Sequence, residues 1–161
     1  MTENKILVLL LGKSGTGKTT VSFKLKEKHN WSLVDSYTTR PARFDGEPGH
    51  VFVSEAEFNR LPREEMMAYM HYRGYQYGST SKQLNNADLY VVEPSGYQDV
   101  IQKYHGTRKI VPIILSADSS TIKDRMRKRG TTEKEIQDRL KQDEKLFKNV
   151  KSISLGRVPR P

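Results

Sequence analysis

The sequence predicts an α/β protein in which a parallel sheet lies between layers of helices and carries a small β-rich insertion. Apolar runs of strand length alternate with segments of helical periodicity at the start of the chain and again in its second half. Between them, residues from about 35 to 80 contain short strand-like runs and many turn residues. A chain of 161 residues that is 35% hydrophobic can bury one substantial core, so we expect a single domain over residues 1–155.

The first predicted elements are a strand, a tight turn and a helix. Ile6 to Leu11 is an apolar run that fits a short buried strand. Glycines interrupt this run, and from about Lys18 the apolar residues follow helical spacing. The helix is expected to stop near His29-Asn30, because Asn is a good helix terminator. Trp31 to Val34 is predicted to be the next short strand.

The insertion is predicted to open as an exposed loop and to continue as a small antiparallel lobe. Residues 35–50 are dense in Pro, Gly and charge, and Arg73-Gly74 separates two strand-like runs as a hairpin turn would. Ser54 and Glu57 have the spacing of a capping box. The predicted elements are a strand at Val51–Val53, a helix from Ser54 through Leu61 that Pro62 ends, and strands at Met66–Tyr72 and Tyr75–Tyr77.

The second half returns to alternating strands and helices, which implies parallel crossovers. Thr132 and Glu135 again have capping-box spacing. The predicted elements are a strand at Leu89–Val92, a helix near Tyr97–Tyr104, a strand at Ile110–Leu115, two helices of which Thr132 opens the second, a last strand at Val150–Leu155 and a loose tail over residues 156–161. Ligands of such sheets bind at the carboxyl ends of the strands.

The glycine-rich turn after the first strand matches the pattern GxxxxGK(S/T). Glycines let successive backbone N–H groups point inward around phosphate oxygens at the start of a helix. In this chemistry Lys18 contacts the β- and γ-phosphates, and the Thr19 hydroxyl is a ligand of Mg²⁺. We therefore expect ATP with Mg²⁺ to bind Gly12, Lys13, Ser14, Gly15, Thr16, Gly17, Lys18, Thr19 and Thr20.

The composition favours a protein of the cytoplasm. There are no cysteines, hence no disulfide framework and no thiolate metal site. The longest apolar stretch, Ile6 to Leu11, is too short to span a bilayer and lacks the flanks of a signal peptide. The net charge of +9 is compatible with nucleic acid, acidic membranes or small polyphosphates. Charge alone does not choose among these, although the sequence lacks the aromatic and basic interleaving of nucleic-acid recognition modules.

A second phosphate-binding segment follows the first. Arg40 and Arg43 lie three residues apart in the predicted loop, and planar guanidinium groups can grip a phosphate dianion. Tyr77 and Ser79 add hydroxyl donors from another segment. With these residues the sequence resembles the guanylate kinase family. The motifs that carry the resemblance are the phosphate loop, TTRPAR, GHVFVS, YGSTS, VVEPSG and RMRKRGTTEKEIQDRL, which together cover most of residues 5–148.

The resemblance implies a three-part P-loop fold: a core at about 1–34 and 81–118 for ATP·Mg²⁺, an acceptor-binding lobe at about 35–80 and a helical lid at about 119–140. It implies that the acceptor contacts Ser36, Arg40, Arg43, His50, Tyr77, Ser79 and Glu93. It also implies that phosphoryl transfer depends on Lys18, on Arg40 and Arg43, and on the lid arginines Arg125, Arg129 and Arg139.

Three positions depart from the family pattern. The acidic residue that reads the guanine edge in the family falls on Ala68, although Glu65 could supply a carboxylate if the loop shifts. One of the family's two phosphate-binding tyrosines falls on His50. The family's paired aspartates fall on Val91 and Glu93, so one carboxylate is lost. The family's closing helix also has no counterpart after residue 155, so we expect an edge that is open or covered by another subunit, in a monomer or a homodimer.

The resemblance implies an ATP-dependent phosphotransferase that moves the γ-phosphoryl group to the phosphate of a nucleoside monophosphate, with GMP or dGMP expected first. The departures leave open a ribose 1,5-bisphosphate phosphokinase or another nucleoside monophosphate kinase. A non-catalytic guanylate-kinase-like binding module is the alternative from another class, but such a module has little need of an intact phosphate loop. A nucleic-acid-binding protein would instead show a steep salt dependence and no ATP turnover.

Overall fold

The computed structural model describes residues 5–148, so the predicted strand at Val150–Leu155 and the tail at 156–161 lie outside the described residues. Strands and helices alternate as expected for an α/β fold. In chain order the elements are β1 (Ile6–Gly12), α1 (Lys18–His29), β2 (Ser36–Thr38), β3 (His50–Phe52), α2 (Glu55–Asn59), a 3-10 turn (Arg63–Glu65), β4 (Met66–Tyr72), β5 (Tyr75–Thr80), α3 (Ser81–Asn85), β6 (Leu89–Val91), α4 (Pro94–Lys103), β7 (Lys109–Leu115), α5 (Ser119–Lys128) and α6 (Glu133–Phe147).

A parallel sheet in the order β6–β1–β7 forms the core. Strand β1 is central and almost fully buried, as its continuous apolar run predicts, and its register pairs Leu10 with both Val91 and Ile113. Alternate residues of β1 face opposite layers, so that Leu7 and Leu9 join one apolar cluster while Val8 and Leu10 join another. The prediction of a parallel sheet between helices is confirmed.

The predicted strand at Trp31–Val34 is wrong, because this segment makes only one isolated parallel bridge, from Leu33 to Leu89. The backbone N–H of Ser32 donates 2.8 Å to the carboxylate of Asp88, and the Ser32 hydroxyl donates to the same oxygen. Backbone bonds from the Val34 N–H to the Leu89 carbonyl (2.9 Å) and from the Leu89 N–H to the Ser32 carbonyl (3.2 Å) form the bridge. The pairing does not extend beyond it, so the segment lies at the edge of the sheet without forming a strand.

The insertion forms a second sheet in the order β3–β2–β5–β4. The prediction that residues 35–50 form only an exposed loop is partly wrong, because β2 pairs in parallel with β3 and antiparallel with β5. Thr38 at the end of β2 is fully buried. The hairpin between β4 and β5 turns at Arg73 and Gly74, both with positive φ (49° and 83°), as a two-residue primed turn requires.

Capping boxes start three of the helices. The predicted boxes at Ser54 and Thr132 are present, and Thr80 forms a third with Gln83. This third box starts α3, which the sequence analysis did not predict. Helices α5 and α6 pack together through the buried residues Ile122, Met126 and Ile136. Within residues 5–148, none of the helices combines the length and apolar character that crossing a membrane requires.

Candidate active site

The phosphate loop joins the carboxyl end of β1 to the first turn of α1. Gly15 and Gly17 have φ of 77° and 93°, which other residues rarely adopt, and they turn the loop around itself. The Lys13 carbonyl accepts bonds from the Thr16 hydroxyl (2.7 Å) and backbone N–H (3.3 Å). At Gly12 an added Cβ would lie 2.5 Å from Thr16 Oγ1, so a side chain there would collide with the loop. The loop therefore depends on its glycines for its conformation.

Lys18 bends back over this loop. Its ammonium donates to the carbonyls of Gly12 (2.5 Å) and Lys13 (3.1 Å). Burial lowers the pKa of Lys18, while the carboxylates of Glu93 and Asp143 act in the opposite direction. The charge of Lys18 thus lies within the loop and close to two carboxylates.

A cleft of about 620 Å³ opens beside Lys18. Of the predicted nucleotide-binding and lid residues, it is lined by Ser14, Gly15, Gly17, Lys18, Thr19, Arg129 and Arg139, together with Glu93. Arg139 donates from Nη1 to the Ser14 hydroxyl at 3.3 Å. Five other predicted residues do not line the cleft: Gly12, Lys13, Thr16, Thr20 and Arg125. Arg125 instead donates to the Gly15 carbonyl at 2.9 Å.

A smaller cavity of about 150 Å³ lies between the insertion and the end of β6. Its lining contains the predicted acceptor residues Ser36, His50, Tyr77 and Glu93, with mostly apolar neighbours. The Ser36 hydroxyl and His50 Nδ1 are 3.0 Å apart, within hydrogen-bonding distance. Burial, and next the charge of Arg40, lower the pKa of His50. His50 is therefore a neutral hydrogen-bonding group at pH 7.

Glu93 connects the two cavities because it lines both of them. It stands directly after β6, at the carboxyl end of the sheet, where the Pro94 that follows starts α4. The Glu93 side chain is exposed to solvent. Partial desolvation by the surrounding protein nevertheless raises its pKa, and the nearby Lys18 ammonium opposes that rise. Glu93 therefore places one carboxylate on the wall that the two cavities share.

Arg40 and Arg43 do not line either cavity. The Arg40 guanidinium forms a two-pronged pair with Glu47 (2.7 and 3.2 Å) and stacks over the Phe52 ring with its Cζ 5.4 Å from the centroid. The same carboxylate accepts a 2.7 Å bond from the Arg43 backbone N–H. The hydrogen bond from Arg40 is the largest cause that lowers the pKa of Glu47 to about 2. Both arginines thus donate to the Glu47 carboxylate, Arg40 from its side chain and Arg43 from its backbone N–H.

Ser79 also differs from its predicted position at the acceptor. It is fully buried, and its hydroxyl donates to the Tyr90 hydroxyl at 2.7 Å. Tyr90, not Ser79, lines the acceptor cavity. The reason is increasing burial along β5: Tyr77 is half-buried at the cavity, whereas the last three residues of the strand, Gly78 to Thr80, are buried.

Several cleft residues were missed by the sequence analysis. They are Tyr72 and Arg73 at the hairpin turn, and Glu135, Asp138 and Gln142 on α6. Asp143 was missed as well, although its carboxylate accepts a 2.8 Å bond from the Ser14 backbone N–H. The sequence offered no signal for it, because Asp143 is one of several charged residues on α6.

Comparison with known proteins identifies the family. A family model described as an AAA domain matches residues 8–147. The guanylate kinase of Syntrophus aciditrophicus is 32% identical over 144 residues, which cover 83% of this chain and 68% of that protein. The guanylate kinase of Clostridium tetani is 30% identical over 163 residues, with coverages of 94% and 76%. The chain belongs to the guanylate kinase family. A crystal structure of guanylate kinase from Anaplasma phagocytophilum has the same fold, with a TM-score of 0.54 at 24% identity, over 90% of this chain and 87% of that one.

Membership confirms the predicted family, the predicted fold and the prediction of an enzyme of the nucleoside monophosphate kinase type. The structure also shows the surroundings of Ala68. This residue lies in a β-bulge with φ of 53°, and its backbone N–H donates 2.7 Å to the Asp99 carboxylate. A carboxylate is thus close to position 68, but it comes from α4 and is used by the backbone.

Proposed function

We propose that this guanylate kinase family member transfers the γ-phosphoryl group of ATP to the phosphate of a nucleoside monophosphate, with GMP or dGMP as the first expected acceptor. The observation that carries the proposal is the joining of two cavities at Glu93. The larger contains Lys18 and two lid arginines, and the smaller contains His50 and Tyr77. The names of the related proteins support the choice of acceptor.

The residues around the cleft fit ATP and Mg²⁺. The left-handed glycines shape a loop at a helix start, where backbone N–H groups and the helix dipole favour phosphate. Thr19 is exposed in the cleft and offers a hydroxyl oxygen, a ligand type that Mg²⁺ accepts beside phosphate oxygens and water. When bound, Mg²⁺ withdraws negative charge from the phosphates.

The chain's own contribution is positioning and charge neutralisation. Lys18 would exchange its loop carbonyls for phosphate oxygens, and Arg129 and Arg139 would neutralise the transferring group. The acceptor phosphate is already ionised, so no general base is required. Arg40 and Arg43 would turn from Glu47 to the acceptor phosphate, because a dianion competes well for guanidinium groups. Their roles, like that of Arg125, stay predictions.

One observation favours a second candidate acceptor. The small cavity has no carboxylate at Ala68, and its other neighbours include Met70, Val91 and Val92. Without a carboxylate at this position, the N–H groups of a bound guanine have no partner there. The site then discriminates less well between guanine and other acceptors. A sugar phosphate such as ribose 1,5-bisphosphate makes no such demand. The boundaries of core, lobe and lid, the cytoplasmic location and the oligomeric state also stay predictions.

A panel of acceptors tests the proposal. GMP, dGMP, AMP, UMP, CMP, dTMP and ribose 1,5-bisphosphate are each offered with ATP and Mg²⁺, and ADP release is followed in a coupled assay. We expect saturable release with GMP or dGMP. Saturation with the ribose bisphosphate alone would establish the second candidate, and no turnover with any acceptor would contradict both.

Lys18→Met provides the variant for this assay, with Lys26→Met, an exposed lysine of α1, as the matched control. Losing one preorganised cation at the transferring phosphate lowers kcat by about 100-fold or more. The control is expected to retain full activity. Undiminished turnover by Lys18→Met would contradict the proposed role of the phosphate loop in phosphoryl transfer.

A further inference from the structure

Asp143 on α6 is a buried carboxylate that faces the phosphate loop. Only 5% of the residue is exposed, and its Oδ2 accepts a 2.8 Å bond from the backbone N–H of Ser14, 129 positions earlier in the chain. This length is typical of a charge-assisted hydrogen bond. The contact therefore joins the last helix of the described chain to the third residue of the phosphate loop.

The environment of Asp143 shows why the fold retains this charge. Among residues 5–148, the ion pairs within 4.0 Å do not include Asp143. A buried carboxylate without a close cation is costly unless backbone N–H groups stabilise it. The Ser14 N–H does so directly, and the Asp143 carboxylate lies near enough to the Lys18 ammonium to oppose the fall in the pKa of Lys18 that burial causes. The charge is thus stabilised by the phosphate-binding machinery itself.

Ser14 is held by two side chains of α6. Arg139 donates to its hydroxyl at 3.3 Å, while Asp143 accepts from its backbone N–H. The two residues are four positions apart, so they project from the same helix face. One face of α6 therefore contacts both the backbone N–H and the hydroxyl of a single loop residue.

We infer that Asp143 is a positioning residue that fixes the phosphate loop for ATP by holding the Ser14 backbone N–H. Asp143 acts through Ser14 and does not contact the reacting atoms. Because Arg139 lies on the same helix, α6 contacts the loop through two of its side chains. The inference rests on the proposed use of this loop for ATP.

A graded series of variants tests this inference. Asp143→Asn keeps an oxygen acceptor but loses the charge, and Asp143→Ala removes the acceptor. Glu144→Ala, an exposed acidic neighbour on α6, is the matched control. Circular dichroism is used to check that each variant is folded. Should Asp143→Ala not fold, Asp143→Asn carries the test by itself.

The first measurement is hydrogen exchange of the Ser14 amide, read by NMR in protein without added nucleotide. We expect exchange to become about tenfold faster in Asp143→Ala and a few-fold faster in Asp143→Asn, because a neutral acceptor forms the weaker bond. Glu144→Ala is expected to leave the rate unchanged. A Ser14 amide that exchanges at the wild-type rate in all variants would contradict the inference.

The second measurement separates positioning from general loss of structure. ATP binding by calorimetry, without acceptor, is expected to weaken about tenfold or more in Asp143→Ala and a few-fold in Asp143→Asn. In turnover assays KM for ATP rises while KM for the acceptor stays constant. Tighter ATP binding by either variant would overturn the inference, since Asp143 would then compete with phosphate. Exchange and ATP binding need no acceptor, so they stay informative even if every acceptor in the panel fails.

Discussion

The buried hydrogen bond between Ser79 and Tyr90 predicts a large loss of stability on changing a residue that the family pattern assigns to the acceptor. Ser79 is fully buried and Tyr90 is 5% exposed, and their hydroxyl oxygens are 2.7 Å apart. Burial raises the pKa of Tyr90 to about 12, so its phenol stays protonated throughout the working range. Ser79→Ala leaves the Tyr90 hydroxyl without this partner, at a cost of about 1–3 kcal/mol.

This cost corresponds to a decrease in Tm of about 2–12 °C for a chain of this size. Tyr90→Phe leaves the Ser79 hydroxyl unpaired and is expected to have a similar effect. The double variant removes both groups, so its loss should be smaller than the sum of the single losses by about 0.5–3 kcal/mol. Urea denaturation of the four proteins measures this coupling. KM for the acceptor is expected to stay unchanged in Ser79→Ala.

The opposite result would refute the reasoning. A Ser79→Ala protein with wild-type stability and a raised acceptor KM would place the Ser79 hydroxyl at the acceptor. Additive losses in the double variant would show that the two hydroxyl groups are not bonded to each other. Either outcome is visible in the same four proteins.

Three further outcomes follow from charges and caps. Because Arg40 holds the pKa of Glu47 at about 2, the stability from this pair is present above pH 4.5 and is lost only as the pH falls toward 2. An NMR titration of Glu47 with a midpoint near 4.5 would contradict this, whereas Arg40→Ala should raise the midpoint, although the Arg43 backbone N–H still lowers it. Burial lowers the pKa of His50, so the folded protein loses stability as the pH falls below 6.5; His50→Gln should flatten this limb of the stability curve. Thr132→Ala removes the capping box of α6 and should cost about 0.5–2 kcal/mol in thermal denaturation, and no change in Tm would contradict the cap.

Features with local causes were predictable from the sequence. The phosphate loop follows from glycines at a strand-to-helix junction, and the helix that begins at Lys18 ends before Asn30, which adopts the left-handed conformation. The capping boxes at Ser54 and Thr132 are also local, because each depends on a residue and the one three positions later. Fold class and helix starts could therefore be read from short stretches of sequence.

Features that depend on distant partners were not predictable. Strand β2 exists because β3 and β5 lie on its two sides, and its own three residues show no clear pattern. The pairing of Arg40 with Glu47 depends on the course of the loop between them. Asp143 is one of several charged residues in α6, and only the packing of that helix shows which of them faces Ser14.

The bulge at Ala68 links the shape of the acceptor cavity to the docking of a helix. A Cβ added at Gly96 on α4 would lie 3.0 Å from the Ala68 Cβ, so these two small residues allow α4 and β4 to approach closely. Both line the small cavity. Introducing a guanine-binding side chain at position 68 therefore also requires a change at Gly96, because α4 packs directly against Ala68.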